Sequence, residues 1–282
     1  MFSQKLSSNN NSIFITDQYR IKGGYSKIIQ YLANECDKGN FSLVLSSIVK
    51  EITWDKGSVI VTTNISTTYK AGKILLTVPP SILTAGEPDI CTINFKPAIP
   101  EKITAAKMIG YGAVIKMLLL FEDSFWENIQ LKEYHGDSMK DLGFVISSAP
   151  IPTWWTQYPN NTGLLTGWLG GTKAAAMQGL PDEEILQLAL RSLATIFEIE
   201  MDVLNKKLIT SHIINWAADP YSKGSYSYAT LDTKAGQRML NEPVADTIFF
   251  CGEALSTHAE KGTVEAAFDS GLYAAKQILS LL

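Results

Sequence analysis

The sequence contains few of the residues that build disulfide frameworks and metal centres. It has three cysteines and three histidines in 282 residues. These are Cys36, Cys91 and Cys251, and His135, His212 and His258. The cysteines form no CxxC pair and the histidines lack metal-ligand spacing, so we expect neither a disulfide framework nor a metal site. We expect each cysteine to pack as a small apolar residue, and each histidine to be structural or exposed to solvent.

Long apolar runs and basic stripes are also absent. The longest apolar run, residues 113–121, is interrupted by Lys116 and is too short to cross a bilayer. Residues 1–12 are polar and contain no stretch typical of a signal peptide. The net charge is −4 and the basic residues are scattered, which argues against nucleic-acid binding. We therefore expect a cytoplasmic protein that binds neither nucleic acid nor a membrane.

The hydrophobic pattern predicts strands and helices that are mixed without strict alternation. Strands are predicted at residues 41–44, 58–63, 73–78, 114–121, 163–169, 213–216 and 248–251. Helices are predicted at residues 101–107, 182–196 and 263–281, and residues 134–158 are expected to be irregular. With 46% hydrophobic residues, the chain can bury a substantial core. This mixture indicates α/β elements around an α+β insertion.

The last part of the chain has the most informative pattern. An apolar strand ends at Cys251, Gly252 and Glu253 follow, and a new helix begins near Thr263 and Val264. The N–H groups of such a helix start, together with its positive end, form a corner that binds anions and dipoles. An ordinary strand–loop–helix packing unit, in which Gly and Ala only permit close approach, explains these residues equally well.

This stretch resembles the closing motif of the flavin-containing amine oxidases, which include monoamine oxidases, polyamine oxidases and flavin-dependent histone demethylases. The matching segments are Ile248–Ala254, Gly262–Gly271 and Ala274–Ala275. The resemblance implies that Gly252 and Glu253 lie along the ribityl-pyrophosphate part of FAD. It also implies that Thr263 and Val264 lie against the isoalloxazine, where helix amide groups stabilise the negative charge of the reduced ring.

A second similar segment is residues 215–226, in which a Trp, Pro-Tyr, Gly and an aromatic residue follow one another as in the family. Monoamine oxidases carry a flavin-linked cysteine after that glycine. Ser225 stands there in this chain, which implies that FAD is held non-covalently. The resemblance assigns Tyr226 to one wall of the aromatic cage that orients the substrate nitrogen, and Trp216 to the same cavity. Thr263 stands at the other wall, which is a tyrosine in monoamine oxidases; a threonine there is similar to the histone demethylases and argues against a simple monoamine oxidase. Core aromatic packing is the alternative for Trp216 and Tyr226.

Lys116 lies inside an otherwise apolar strand, which is costly unless the ammonium group is paired or hydrogen-bonded. It matches a family lysine that holds a water beside flavin N5 and helps dioxygen to accept electrons. A solvent-facing lysine on an edge strand is the alternative. Val49 resembles the family position whose backbone meets the adenine, through a short match.

The glycine-rich GxGxxG loop, with which the family receives the pyrophosphate, does not occur in this sequence. The resemblance begins near Arg20 and covers the carboxyl-terminal two-thirds of a typical member. We expect a partial FAD-binding, Rossmann-like lobe without its N-terminal βαβ unit, formed by residues 1–99 and 216–282. Residues 100–215 are expected to form a mixed-sheet substrate lobe flanked by helices. A partner segment or a homo-oligomer would cover the incomplete sheet.

The resemblance implies a truncated FAD-dependent amine oxidoreductase. Such an enzyme oxidises the C–N bond of a small-molecule amine by hydride transfer to flavin, with dioxygen as the acceptor. A cofactor-free remnant or interaction module of the same fold is one alternative, because most of the affinity for the dinucleotide is expected to be missing. A related flavin desaturase or protoporphyrinogen oxidase is the other, although Lys116 and the Trp216–Tyr226 segment argue against it. Whether this chain is an enzyme, or holds FAD by itself, stays open at this point.

Overall fold

The computed structural model describes residues 21–129, 139–257 and 261–281. The described residues divide into two compact units, one within residues 21–48 and one within residues 49–281. The predictions for His135, His258 and the polar residues 1–12 lie outside the described residues. Among the described residues, no helix has both the length and the apolar character that a membrane span requires.

In the smaller unit, the described residues contain one helix, α1 (Ser26–Cys36), and none of its residues is buried. Cys36, at its end, is exposed, so the prediction that this cysteine packs in a core is wrong. The strand predicted at residues 41–44 is also wrong, since Phe41 and Leu43 lie in irregular, exposed chain. An apolar run becomes a strand only where a neighbouring strand pairs with it, and the described part of this unit contains none.

The larger unit begins with a four-stranded sheet of order β3-β2-β1-β5. Its strands are β1 (Val49–Asp55), β2 (Ser58–Thr63), β3 (Thr68–Ala71) and β5 (Asn94–Lys96). The β1–β2 hairpin turns at Lys56-Gly57, where Gly57 has a φ of 75°. The parallel β1–β5 pair is reinforced by the Trp54 indole N–H, which donates to the Pro97 carbonyl at 2.8 Å.

A second, two-stranded parallel sheet pairs β4 (Ile74–Leu76) with β13 (Ile248–Phe250). Helices α2 (Pro80–Leu83), α3 (Pro100–Lys107), α7 (Thr233–Asn241) and α8 (Val264–Leu279) belong to the same region. Helices α3 and α7 pack closely at Gly236, because a Cβ there would lie 2.6 Å from the Ala105 carbonyl oxygen. One core cluster joins both sheets to α3 and α7, with Ile52, Leu76 and Phe250 among its buried members.

A third, five-stranded sheet has the order β11-β7-β10-β9-β8 and is antiparallel throughout. Its strands are β7 (Val114–Phe121), β8 (Phe144–Ile146), β9 (Thr153–Trp155), β10 (Leu164–Gly170) and β11 (Leu208–Asn215). Burial alternates along β7, where Met117 and Leu119 lie in the core and Lys116 and Leu118 are half-buried. The buried face packs in one cluster with residues of α4 (Gly171–Ala176), α5 (Asp182–Phe197) and α6 (Met201–Lys207).

Strands β8 and β9 lie in the segment that was expected to be irregular, so that prediction is wrong for them. Their aromatic residues find partners that the local sequence does not reveal: Trp154 is fully buried and lies opposite Gly167 of β10. Phe144 and Trp155 stack on the other face with ring centroids 5.5 Å apart.

A short ribbon connects the two regions: β6 (Gly110–Tyr111) pairs with β12 (Ser227–Tyr228). The core cluster around β4 and β13 consists of residues from 49–109 and 239–255. The core cluster under the five-stranded sheet consists of residues from 113–213. The division into residues 1–99, 100–215 and 216–282 stays a prediction.

Candidate functional site

The carboxyl ends of β4 and β13 meet at one edge, because the two strands are parallel. The Cys251 N–H donates to the Leu76 carbonyl at 2.9 Å and continues the ladder to this edge. Gly252 follows with a φ of 141°, a conformation that side-chain-bearing residues rarely adopt. Its N–H donates to Ser270 Oγ of α8 at 3.1 Å, so the end of β13 is held against the last helix.

Helix α8 begins beside this edge with a capped first turn. Thr263 is its N-cap, and its hydroxyl oxygen accepts from the Ala266 N–H at 3.1 Å. The first N–H groups of a helix have no acceptor within the helix, and the helix dipole places partial positive charge there. The start of α8, at Thr263 and Val264, therefore suits an electron-rich or anionic group.

The Glu253 carboxylate joins this helix start to β12. Oε1 accepts from the Ser227 N–H at 2.7 Å, and Oε2 accepts from the Ser227 hydroxyl at 2.7 Å. Oε2 also accepts from the Gly262 N–H at 3.1 Å, one residue before the N-cap. The sequence predicted a cofactor-facing role for Glu253 and gave no sign of these hydrogen bonds, because both partners are distant in the chain.

Tyr226 lies directly against the turn before α8. A Cβ at Gly262 would lie 3.2 Å from Tyr226 Cδ2, so only a glycine permits this approach without a shift of the ring. The Tyr226 carbonyl accepts from the Gly112 N–H at 3.2 Å. The side chain is 37% exposed, in contrast to a core aromatic residue.

The loop that carries Trp216 is tied to the beginning of β7. The Trp216 N–H donates to the Val114 carbonyl at 3.1 Å, and the Gly224 N–H closes the loop on the Trp216 carbonyl at 2.9 Å. Trp216 is also 37% exposed. The backbone at Trp216 is therefore tied to Val114, the first residue of β7, and the backbone at Tyr226 is tied to Gly112, two residues before it.

Tyr111 is bound to this loop through its side chain. Its hydroxyl donates to the Ser225 carbonyl at 3.2 Å. Burial, and secondarily the nearby charge of Glu253, raise the pKa of Tyr111 to about 12. The phenol therefore stays protonated and remains a donor throughout the neutral range.

Lys116 lies further along β7, in the middle of the five-stranded sheet. Strands β10 and β11 pair with β7 on its two sides, with Trp168 and Ile214 opposite Lys116. It is therefore not on an edge strand. The side chain of Lys116 is half-buried and lies on the sheet face that is turned away from the helix-covered core.

The structure thus brings Gly252, Glu253, Tyr226, Thr263 and Val264 into one corner. Trp216 and Lys116 connect to this corner through β7. Val49, at the start of β1, is half-buried and packs against the core cluster that contains β4 and β13.

The corner fits one end of a flavin dinucleotide. The positive-φ glycine has no side chain and permits close approach at the strand edge, the helix start offers main-chain donors to an electron-rich ring, and the half-exposed aromatic residues leave room before it. The sequence offers no GxGxxG loop for the pyrophosphate. Among the described residues, no cluster of three or more His, Cys, Asp or Glu could hold a metal ion. Cys91 and Cys251 are buried, as predicted, and His212 is exposed.

Comparison with known proteins identifies the class. Residues 5–279 match the model of the flavin containing amine oxidoreductases, and the chain belongs to this family. It is 29% identical over 270 residues to lysine-specific histone demethylase 2 of Homo sapiens, a match that covers 94% of this chain and 31% of that protein. It is 30% identical over 260 residues to polyamine oxidase 3 of Oryza sativa subsp. japonica, covering 90% of this chain and 48% of that protein.

Solved structures show the same fold. A variant of putrescine oxidase superimposes with a TM-score of 0.72 at 19% identity, over 92% of this chain and 53% of that chain. Cyclohexylamine oxidase from Brevibacterium oxydans superimposes with a TM-score of 0.69 at 19% identity, over the same shares of 92% and 53%. The predicted family and the mixed α/β architecture are confirmed. The chain spans about half, or less, of the length of these relatives.

Proposed function

We propose that this chain forms the substrate-facing and isoalloxazine-facing part of an FAD-dependent amine oxidoreductase. The observation that carries the proposal is the corner in which the start of α8, Gly252 and Tyr226 meet at the carboxyl edge of β4 and β13. Membership of the amine oxidoreductase family supports it. FAD, when bound, supplies the acceptor for a hydride from the carbon next to the amine nitrogen.

Gly252 and Glu253 would lie along the ribityl-pyrophosphate part of FAD, Thr263 and Val264 would lie against the isoalloxazine, and Val49 would meet the adenine end. Ser225 stands where a covalent link would need a thiol, so the flavin is held non-covalently. Because the 282 residues contain no GxGxxG loop, another segment or chain would add contacts to the pyrophosphate and cover the edges of the β4–β13 pair that are unpaired among the described residues, while this chain alone holds the isoalloxazine end of FAD.

Tyr226 and Trp216 orient the substrate in this account. Both side chains are half-exposed, and the backbone of each residue is hydrogen-bonded, Trp216 to Val114 of β7 and Tyr226 to Gly112. The two aromatic side chains would hold the unprotonated amine so that the carbon next to its nitrogen faces the flavin. The substrate is a small-molecule amine, and residues 100–215 form the lobe that covers it.

Lys116 assists the transfer of electrons to dioxygen. Its half-buried side chain shares a sheet face with the cross-strand residues Trp168 and Ile214, so its charge is screened less than a fully exposed charge would be. With FAD bound, Lys116 would stabilise the negative charge that develops on dioxygen during flavin reoxidation, and it would hold a water that supplies a proton.

The experiment is to mix the purified chain with excess FAD, remove unbound FAD by gel filtration, and record the visible spectrum and amine-dependent peroxide release. We expect a yellow protein whose colour bleaches when an amine is added without oxygen. A protein that stays colourless contradicts the proposal and favours a second function, a cofactor-free interaction module. The specific observation in favour of that alternative is the missing glycine-rich loop.

A further inference from the structure

We propose that Glu253 is a positioning residue whose carboxylate fixes the start of α8 relative to β12 and to Tyr226, the residue that directly precedes this strand. The helix amides and the aromatic wall are then held in one mutual geometry. The clamp itself is inferred from hydrogen bonds within the chain. Its role in positioning groups for flavin and substrate rests on the proposed function.

The carboxylate accepts three hydrogen bonds from two separate segments. Two come from Ser227, whose N–H and hydroxyl each lie 2.7 Å from one carboxylate oxygen. The third comes from the Gly262 N–H at 3.1 Å. A carboxylate is an acceptor with two oxygens, and hydrogen bonds to a charged acceptor are stronger than those between neutral groups. A single side chain therefore clamps β12 to the residue that precedes the N-cap of α8.

The residues on both sides of Tyr226 are fixed. Ser225, before it, donates through its N–H to the Gly112 carbonyl and accepts from the Tyr111 hydroxyl. Ser227, after it, is held by Glu253. The ring of Tyr226 in turn lies against Gly262. Releasing the carboxylate frees one side of Tyr226 and the start of α8 at the same time.

An amide cannot replace the carboxylate here. The Gln side chain offers one acceptor oxygen, and its NH₂ group would face an N–H or O–H donor. Glu253→Gln therefore loses at least one of the three hydrogen bonds, and it places the NH₂ group of the glutamine against a donor of Ser227 or Gly262. Glu265 provides the matched control, because it is an exposed carboxylate in the first turn of α8. Glu265→Gln removes the same charge near the same helix dipole and leaves the clamp intact.

The test is amide hydrogen exchange of the purified chain without flavin, in segments 225–228 and 261–266. We expect Glu253→Gln to accelerate exchange in both segments together by about 10-fold, the equivalent of one lost charged hydrogen bond. Glu265→Gln should stay within roughly 2-fold of the wild type in segment 225–228. If Glu253→Gln unfolds the chain, Ser227→Ala serves instead, because it removes one bond and should give a smaller acceleration in both segments.

A spectroscopic readout separates positioning by the charge from a general loss of packing. The Glu253 charge contributes to the raised pKa of Tyr111. The pKa of this phenol can be followed by NMR of labelled tyrosine. It should fall below about 12 in Glu253→Gln and should remain at about 12 in Glu265→Gln. Unchanged exchange in both segments, a response confined to one of them, or an equal effect of Glu265→Gln overturns the proposal.

A flavin titration of the same proteins tests the purpose separately. If the wild type binds FAD, Glu253→Gln should raise the dissociation constant about 10-fold, and Glu265→Gln should change it much less. A wild type that binds no FAD contradicts the proposed function, whereas the exchange result still decides whether Glu253 is the clamp.

Discussion

The five-stranded sheet and the β4–β13 pair differ in how many hydrogen-bonded partner strands each strand has. In the first, the interior strand β7 is paired along its length on both sides, and one face of the sheet is covered by helices. In the second, two strands pair over three residues each, between Ile74–Leu76 and Ile248–Phe250. An isolated two-stranded sheet is marginal by itself, so this pair depends on α3, α7 and α8. The candidate chemistry lies at the edge of the less complete region.

This contrast teaches that scaffold and site have separate supports. The five-stranded sheet holds Lys116 through a ladder and a core that lie within residues 113–213. The corner at Gly252 is held by single side chains, such as Glu253 and Ser270, that connect distant segments. Substitutions should therefore damage stability most in the first region, and geometry most in the second.

The largest effect is expected from breaking the core of the five-stranded sheet. Trp154 is fully buried and its indole N–H donates to the Ile151 carbonyl at 3.0 Å. Trp154→Ala should lower the free energy of unfolding by about 3–5 kcal/mol, measured by urea denaturation. Its neighbour Trp155 lies half-buried on the opposite face, so Trp155→Ala should cost clearly less. Equal losses would show that the two faces do not differ as described.

The next prediction concerns Lys116 of the same sheet, where a substitution should change the rate of flavin reoxidation and leave the stability of the protein nearly unchanged. Lys116→Met keeps the length of the side chain and removes the charge. It should slow reoxidation of the reduced flavin on the order of 100-fold, measured by stopped-flow absorbance, with little change in unfolding free energy. Lys173→Met, at an exposed lysine of α4, is the control. Normal reoxidation in Lys116→Met would remove Lys116 from this role.

A smaller effect is expected in the region of β4 and β13, at Lys102 of α3. Lys102 is 7% exposed, and its ammonium group donates to the Met239 and Glu242 carbonyls at the end of α7. Lys102→Met should lower the free energy of unfolding by about 1–3 kcal/mol, because those carbonyls lose their donor. Lys107→Met, at an exposed position of the same helix, should change it little.

The pH dependence of that difference has a defined sign. Burial lowers the pKa of Lys102 below 10.5, more than the nearby carboxylates raise it. The folded state then binds fewer protons than the unfolded state between the lowered pKa and 10.5. Stability therefore rises with pH in that window in the wild type, relative to Lys102→Met. A difference between the two proteins that falls with rising pH would contradict burial as the cause.

Elements with strong periodicity could be predicted from the sequence. Strand β7 spans Val114–Phe121 as predicted, and α5 extends one residue beyond the predicted end at residue 196. The strand at residues 58–63 and the end of the chain were also predicted correctly, because their apolar patterns are local.

What could not be predicted depends on partners distant in the chain. The β6–β12 ribbon has two residues on each side, too few to give a pattern. The bonds of Glu253 require Ser227 and Gly262 to meet, and no spacing in the sequence encodes that. Residues 41–44 show the opposite error, since a suitable apolar run lies there without a strand beside it.

The central claim is that the start of α8 faces the isoalloxazine ring of FAD. Amide hydrogen exchange of the purified chain, with and without excess FAD, tests it most directly. The account predicts slower exchange in residues 252–253 and 261–266 when FAD is present, with residues 182–197 of α5 unchanged. Exchange that is unaffected at the start of α8, in a protein that binds FAD, would contradict it.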